Sequence, residues 1–175
     1  MTAKKISQLI NQLQTIYAAI STTLITLNDN QILQLLEAKG FDKGSKIRLG
    51  KHDGSYYRNI NFWDSINFVR NNNKFNLDFM GMQLSTILLS VGHELKKHHY
   101  FDKTPELEFF RHLRNGISHG NKFDFKHGEP RRPAKFKNFE IASSLQGEDV
   151  LFKFIKPGDL FELFDHIKKH LESIE

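Results

Sequence analysis

Cysteine is absent from the 175 residues. That excludes disulfide scaffolds, thiolate-bound zinc and a cysteine nucleophile, and it suits a reducing compartment. Long apolar runs are also missing. Stretches such as Ile87-Leu88-Leu89 fall far short of the ~20 residues that a membrane-spanning helix requires. The opening Met1-Thr-Ala-Lys-Lys-Ile6 carries no apolar segment of the signal-peptide kind. Internal repeats and low-complexity linkers are not apparent. The expectation is a soluble cytoplasmic protein without a membrane partner. The residues that are present, 39% hydrophobic and 26% charged, suffice for a buried core and do not have the composition of a disordered tail. The length fits a single domain over residues 1–175.

Charge is in modest excess, 25 basic residues against 20 acidic, a net +5. Between Gly120 and Lys137 lie Lys122, Lys126, Arg131, Arg132, Lys135 and Lys137, opposed by Asp124 and Glu129. Six minus two gives +4 in one stretch, and the remainder reads as nearly balanced. Alone, such a stretch is a solvated loop. Beside a phosphate site it would guide a polyanion.

The hydrophobic period predicts a mainly α-helical bundle. Ile6, Leu9, Ile10, Leu13, Ile16, Tyr17 and Ile20 recur at spacings of three and four. Asn28 or Asn30 could cap a second helix carrying Ile32, Leu33, Leu35 and Leu36, with Gly40 at its end. Four glycines make residues 40–54 a loop, and the aromatic-rich Tyr56–Val69 reads as helix, stopped by Asn71-Asn72-Asn73. A further helix runs from about Leu77 to His99. Thr104-Pro105 opens the next, which ends near Gly120. After Gly120 the period shortens. The alternation of Lys135–Ile141 and Leu151–Ile155 about Gly147-Glu148-Asp149 predicts a small β-hairpin. Pro157-Gly158-Asp159 then starts a final helix. The expected layout is a helical core, about 1–120 plus 159–175, with a hairpin insertion at about 121–157.

The segment Glu106–Gly120 concentrates the chemistry. At ~100° per residue, Phe109, Phe110, Leu113 and Ile117 share the core face, while Glu108, Arg111, Asn115, Ser118 and His119 lie opposite. Asn115 and His119 stack four apart, and Arg114 stands at the edge of the core face. Gly116 and Gly120 loosen the last turn and would let a ligand approach the backbone. An imidazole shuttles protons near neutral pH. A guanidinium holds phosphate in two parallel hydrogen bonds and stabilises developing charge. These groups suit RNA cleavage, where the 2′-hydroxyl is an internal nucleophile. The competing reading of the same spacing is that Arg114 and His119 simply favour the negative end of the helix dipole.

Arg114-Asn-Gly-Ile-Ser-His119 resembles the R-x4-6-H motif of the HEPN superfamily, small all-helical domains common in toxins and defence ribonucleases. The motif stands at the end of a late helix after a long helical hairpin, and the helical resemblance covers about residues 1–120 plus the final helix. It implies Arg114 as the phosphate-binding and transition-state arginine, Asn115 as the polar residue following it and His119 as the catalytic acid or base. It further implies metal-independent cleavage to a 2′,3′-cyclic phosphate without a cofactor, and a homodimer in which two motif helices face one cleft. A role as toxin or phage-defence effector, with an antitoxin or regulatory protein as partner, belongs to the same expectation. Arg111 and Ser118 are added as substrate-binding residues on geometry, and Lys122, Lys126, Arg131 and Arg132 on charge. Some toxin members carry a tyrosine two residues after the histidine, which a partner nucleotidyltransferase modifies; here that position is Asn121, so neutralisation by that route is not expected. The alternative is a non-catalytic HEPN module that binds RNA or a protein. His93-Glu94-x-x-x-His98-His99 lacks the zincin spacing, and Lys43-Gly44-Ser45-Lys46 lacks that of a P-loop. Trp63 with the flanking Tyr56, Tyr57, Phe62 and Phe68 could stack bases but reads first as an aromatic core or dimer face.

Overall fold

The computed structural model describes residues 1–126 and 130–174. Glu129, one of the two acids counted in the basic stretch, lies outside the described residues. Among those described the chain is mainly helical. The helices are α1 (Ala3–Thr26), α2 (Asn30–Ala38), α3 (Phe62–Asn71), α4 (Asn73–Lys97), α5 (Pro105–Ser118) and α6 (Pro157–Ser173). Two antiparallel strand pairs accompany them: β1 (Lys46–Gly50) with β2 (Tyr56–Asn61), and β3 (Lys135–Phe136) with β4 (Phe139–Glu140). No described helix is long and apolar enough to cross a membrane. The chain divides into two compact units, one of residues 1–17 and 81–175 and one of residues 18–80.

The first unit holds the main core. Ile6 and Ile10 of α1, Leu84, Leu88, Val91 and Leu95 of α4, Phe109, Phe110 and Leu113 of α5, and Leu160, Leu163, Phe164, Ile167 and Leu171 of α6 are removed from solvent. Each such side chain contributes ~1.5–3 kcal/mol relative to exposure, which explains why the three-and-four spacing marks these helices. Residues 121–157 share this core: Phe123, Phe136, Ile141, Val150, Leu151 and Ile155 are buried in it. Phe109 packs against Phe136, Phe139 and Phe154 with ring centroids 6.0–6.3 Å apart.

The expected C-terminal hairpin forms differently. Lys135-Phe136 pairs with Phe139-Glu140, not with residues 151–155. Lys137 takes φ 51°, turning the chain back within the alternating run itself. Leu151 and Ile155 meet only in an isolated bridge.

The second unit corrects the reading of residues 40–61. The expected loop and the start of the expected helix together form the β1–β2 hairpin, with Lys46 opposite Asn61, Ile47 opposite Ile60, Arg48 opposite Asn59 and Leu49 opposite Arg58. Its turn is tied by Asp53, whose carboxylate accepts from the Ser55 amide (2.9 Å) and hydroxyl (2.6 Å), and by Gly54 at φ +81°. These two bonds hold the Asp53 carboxyl below its ordinary range. Helix α3 begins only at Phe62, where the Asn61 side chain accepts from the Asp64 amide at 3.0 Å. Likewise Asp29, between the two asparagines expected to cap, caps α2 by accepting from the Gln31 amide at 2.8 Å. Trp63 is buried, its indole N–H donates to the Phe41 carbonyl at 2.9 Å, and its ring meets Phe62 edge-on.

Candidate functional site

The last two turns of α5 carry Arg114, Asn115 and Ser118, and His119 is its C-cap residue. The helix stops because Gly120 adopts φ +78° and Asn121 φ 66°, a left-handed pair that L residues other than Asn and Gly seldom adopt. The His119 amide still bonds the Asn115 carbonyl at 3.1 Å, so its side chain is set by the helix although it is solvent-exposed.

Arg114 is half-buried. Its aliphatic stem lies across Gly92 of α4, so close that a Cβ there would stand 2.6 Å from Cγ of Arg114. Its guanidinium donates to Oδ1 of Asn115 at 3.2 Å, and its buried Nε has no hydrogen-bond partner among the described residues. Arg114 also lines an open groove of about 450 Å³ with Leu9, Leu89, Ser90, His93 and Glu94. His119 turns the other edge of the cluster outward: Nδ1 stands 3.7 Å from the Asp124 carboxylate, which also accepts from the Gln146 amide at 3.3 Å. With the carboxylate nearest Nδ1, Nε2 is the ring nitrogen left for proton exchange. The hydroxyl of Ser118 is spent locally, donating to the Asn115 carbonyl at 2.7 Å.

Gly116 does not admit a ligand as expected. It is buried, and a Cβ there would lie 2.5 Å from Cγ2 of Val150 and 3.1 Å from the Lys122 carbonyl. The missing side chain makes room for the chain's own return segment, and the Lys122 amide bonds the Gly116 carbonyl at 3.0 Å. Gly120 does stand open, with nothing near its absent Cβ.

The remaining expected substrate-binding residues separate from this cluster. Arg111 belongs to a second one: its Nε and one terminal nitrogen bond Glu108 at 3.0 and 2.7 Å, and it meets His112 Nε2 at 3.0 Å. Helical spacing puts Glu108 opposite the core face, yet it is 4% exposed, and His112 is 3% exposed. Arg132 approaches the same carboxylate at 3.8 Å. A carboxylate this deep persists because two guanidinium groups serve it. Lys122 bonds Asp149 at 2.8 Å and the Gly147 carbonyl at 3.3 Å. This ammonium holds the Asp149 carboxyl below its ordinary range. Lys135 pairs with Glu140 at 3.0 Å, and Lys137 with Glu162. Arg131 is exposed on the wall of a shallow groove of about 500 Å³ between residues 130–135 and 140–143. Lys126 is exposed.

Sequence reasoning missed Asp124 as the neighbour of His119, because the two meet across an irregular turn that has no period. It also missed Gly92, Ser90, His93 and Glu94 as the surroundings of Arg114. The signal available was Gly92 on the inner face of α4, which marks a close approach. No family model, curated protein or solved structure matches the chain.

Proposed function

We propose that the chain is a metal-independent endoribonuclease of the HEPN type. One observation carries this reading: a half-buried arginine with an unspent nitrogen, an asparagine bonded to it and an exposed histidine backed by a carboxylate all gather at the end of α5. In the proposed reaction the RNA 2′-hydroxyl attacks the adjacent phosphorus and the 5′-oxygen departs, leaving a 2′,3′-cyclic phosphate. Arg114 holds the phosphate and neutralises the charge that builds on its oxygens. Asn115 keeps the guanidinium in place. His119 exchanges a proton through Nε2. One imidazole cannot serve as base and acid at once, so a second copy of the chain would bring the other across a two-fold axis. A role as toxin or defence effector, with a neutralising protein partner in the cytoplasm, belongs to the same proposal.

The test is incubation of the purified protein with RNA in EDTA. Wild type should leave cyclic-phosphate ends, and His119→Ala should slow cleavage by ~10²- to 10⁴-fold. Equal cleavage by both, or none by wild type on any RNA offered, overturns the proposal. A non-catalytic RNA- or protein-binding module is the second reading. It is favoured by the pairing of Lys122, Arg132, Lys135 and Lys137 with carboxylates, which leaves the basic stretch little charge to deliver a strand to His119. Growth arrest on expression, relieved by Arg114→Ala, decides for the enzyme.

A further inference from the structure

The β1–β2 hairpin of the second unit holds a charge cluster that total composition conceals. Residues 43–58 contain Lys43, Lys46, Arg48, Lys51 and Arg58 against Asp53 alone, five minus one, or +4. All five cations are exposed, and among the described residues none of them stands within ion-pair distance of a carboxylate. Asp53 is occupied by its own turn.

Neither face of this ribbon is a core face. Every residue of β1 is exposed, as are four of the six in β2. A two-stranded ribbon in water on both sides gains little from burial, and clustered like charges work against its compactness. Packing therefore does not account for its composition. Its register places Lys46 and Arg48 on one face with Asn59 and Asn61, two cations beside two side chains able to donate and accept hydrogen bonds. Tyr56 and Tyr57 are 58% and 75% exposed, and the Arg48 guanidinium lies over the Tyr56 ring at 5.3 Å from its centroid. Cations along an extended ribbon with open aromatic rings are the elements of single-strand recognition, in which the charge tracks the phosphates and the rings take the bases.

We infer that the β1–β2 hairpin is a binding surface for single-stranded RNA, with Lys46 and Arg48 on the phosphates and Tyr57 stacking a base. This rests on the ribonuclease reading for the choice of RNA, not for the binding itself.

The experiment measures fluorescence anisotropy of a fluorescein-labelled oligouridylate with the full chain carrying His119→Ala, so that no strand is cut. Three variants are built on that parent: Lys46→Gln with Arg48→Gln, Tyr57→Ala, and, as the control, Lys135→Gln with Lys137→Gln. Circular dichroism checks each fold. The Lys46/Arg48 variant should bind at least tenfold more weakly, with a slope of log affinity against log salt shallower by about 1.4, two contacts at ~0.7 each. Tyr57→Ala should lose about fivefold or more, and it answers the question even if the Lys46/Arg48 variant unfolds. The control should change less than about twofold. Parent-like affinity in both hairpin variants, an equal loss in the control, no binding by the parent at low salt, or preference for an acidic peptide or anionic vesicle over the oligouridylate each overturns the inference. Binding through the hairpin without cleavage by wild type would sink only the ribonuclease reading. His119-dependent cleavage with hairpin-independent binding would sink only this one.

Discussion

Residues 120–137 and residues 43–58 each carry +4 by sequence, but they treat that charge in opposite ways. In the first stretch Lys122 meets Asp149, Arg132 meets Glu108, Lys135 meets Glu140 and Lys137 meets Glu162. The partners come from the irregular segment before Ile155, from α5, from β4 and from α6, so the cations fasten the return segment to elements around it. Phe123, Ala134 and Phe136, interleaved with them, are buried. In the second stretch no cation has a carboxylate partner among the described residues, and no residue of β1 is buried. Local charge counts therefore do not locate a polyanion surface. What separates the two stretches is the distribution of carboxylates in space, which emerges only once the chain is folded.

The comparison can be broken most decisively by stability measurements. If residues 120–137 are structural, Phe123→Ala should cost ~3–5 kcal/mol in urea unfolding, whereas Tyr57→Ala on the open hairpin should stay within ~0.5 kcal/mol. Similar losses at both positions would erase the distinction. Next in size is Gly116→Ala, which forces a Cβ against Val150 and the Lys122 carbonyl. Overpacking of this kind costs ~1–3 kcal/mol, and a calorimetric Tm unchanged from wild type would refute the close approach. A smaller effect is expected for Lys137→Ala, ~1 kcal/mol or less for an ion pair at the surface.

The last prediction concerns direction alone. Lys122 holds the Asp149 carboxyl below its ordinary range, so the contribution of that pair to stability is complete above the usual carboxylate pKa, ~4. It fades as pH falls through the lowered folded value. Carboxyl chemical shifts followed by NMR should show Asp149 titrating at higher pH in Lys122→Gln than in wild type. Coincident curves would mean that the ion pair does not form in solution.

Legibility in the sequence followed burial. The first turns of α1, and α4, α5 and α6, each press one face into a common core, so apolar residues recur at the helical period and mark them. The expectation of a loop followed by a helix misses the β1–β2 hairpin because four glycines outweigh the short alternation Lys46-Ile47-Arg48-Leu49, and the aromatic-rich run from Tyr56 blurs the end of β2 into α3. In Lys135–Ile141 the alternation was visible but its partner was not. Whether Lys137 takes a positive φ depends on the contacts around Phe136 and Phe139, not on the residues themselves. Within the candidate site, Arg114, Asn115 and His119 could be named from their spacing on one helix. Asp124, Gly92, Glu94 and the approach of Arg132 to Glu108 could not, since each of these contacts joins separate segments. Glu108 is the sharpest instance: helical spacing puts it opposite the core face, while two guanidinium groups make a buried position tenable.

Trp63 is the chain's only tryptophan, and it belongs to the second unit, buried beside Phe62 with its indole bonded to the Phe41 carbonyl. Intrinsic fluorescence excited at the red edge of protein absorption thus comes entirely from the unit that carries the hairpin, while the unit that carries Arg114 and His119 stays dark. The molecule is in effect labelled on one side. Opening of this site to water would red-shift the emission, so a single spectrum can separate events in residues 18–80 from events at α5, with no extrinsic dye.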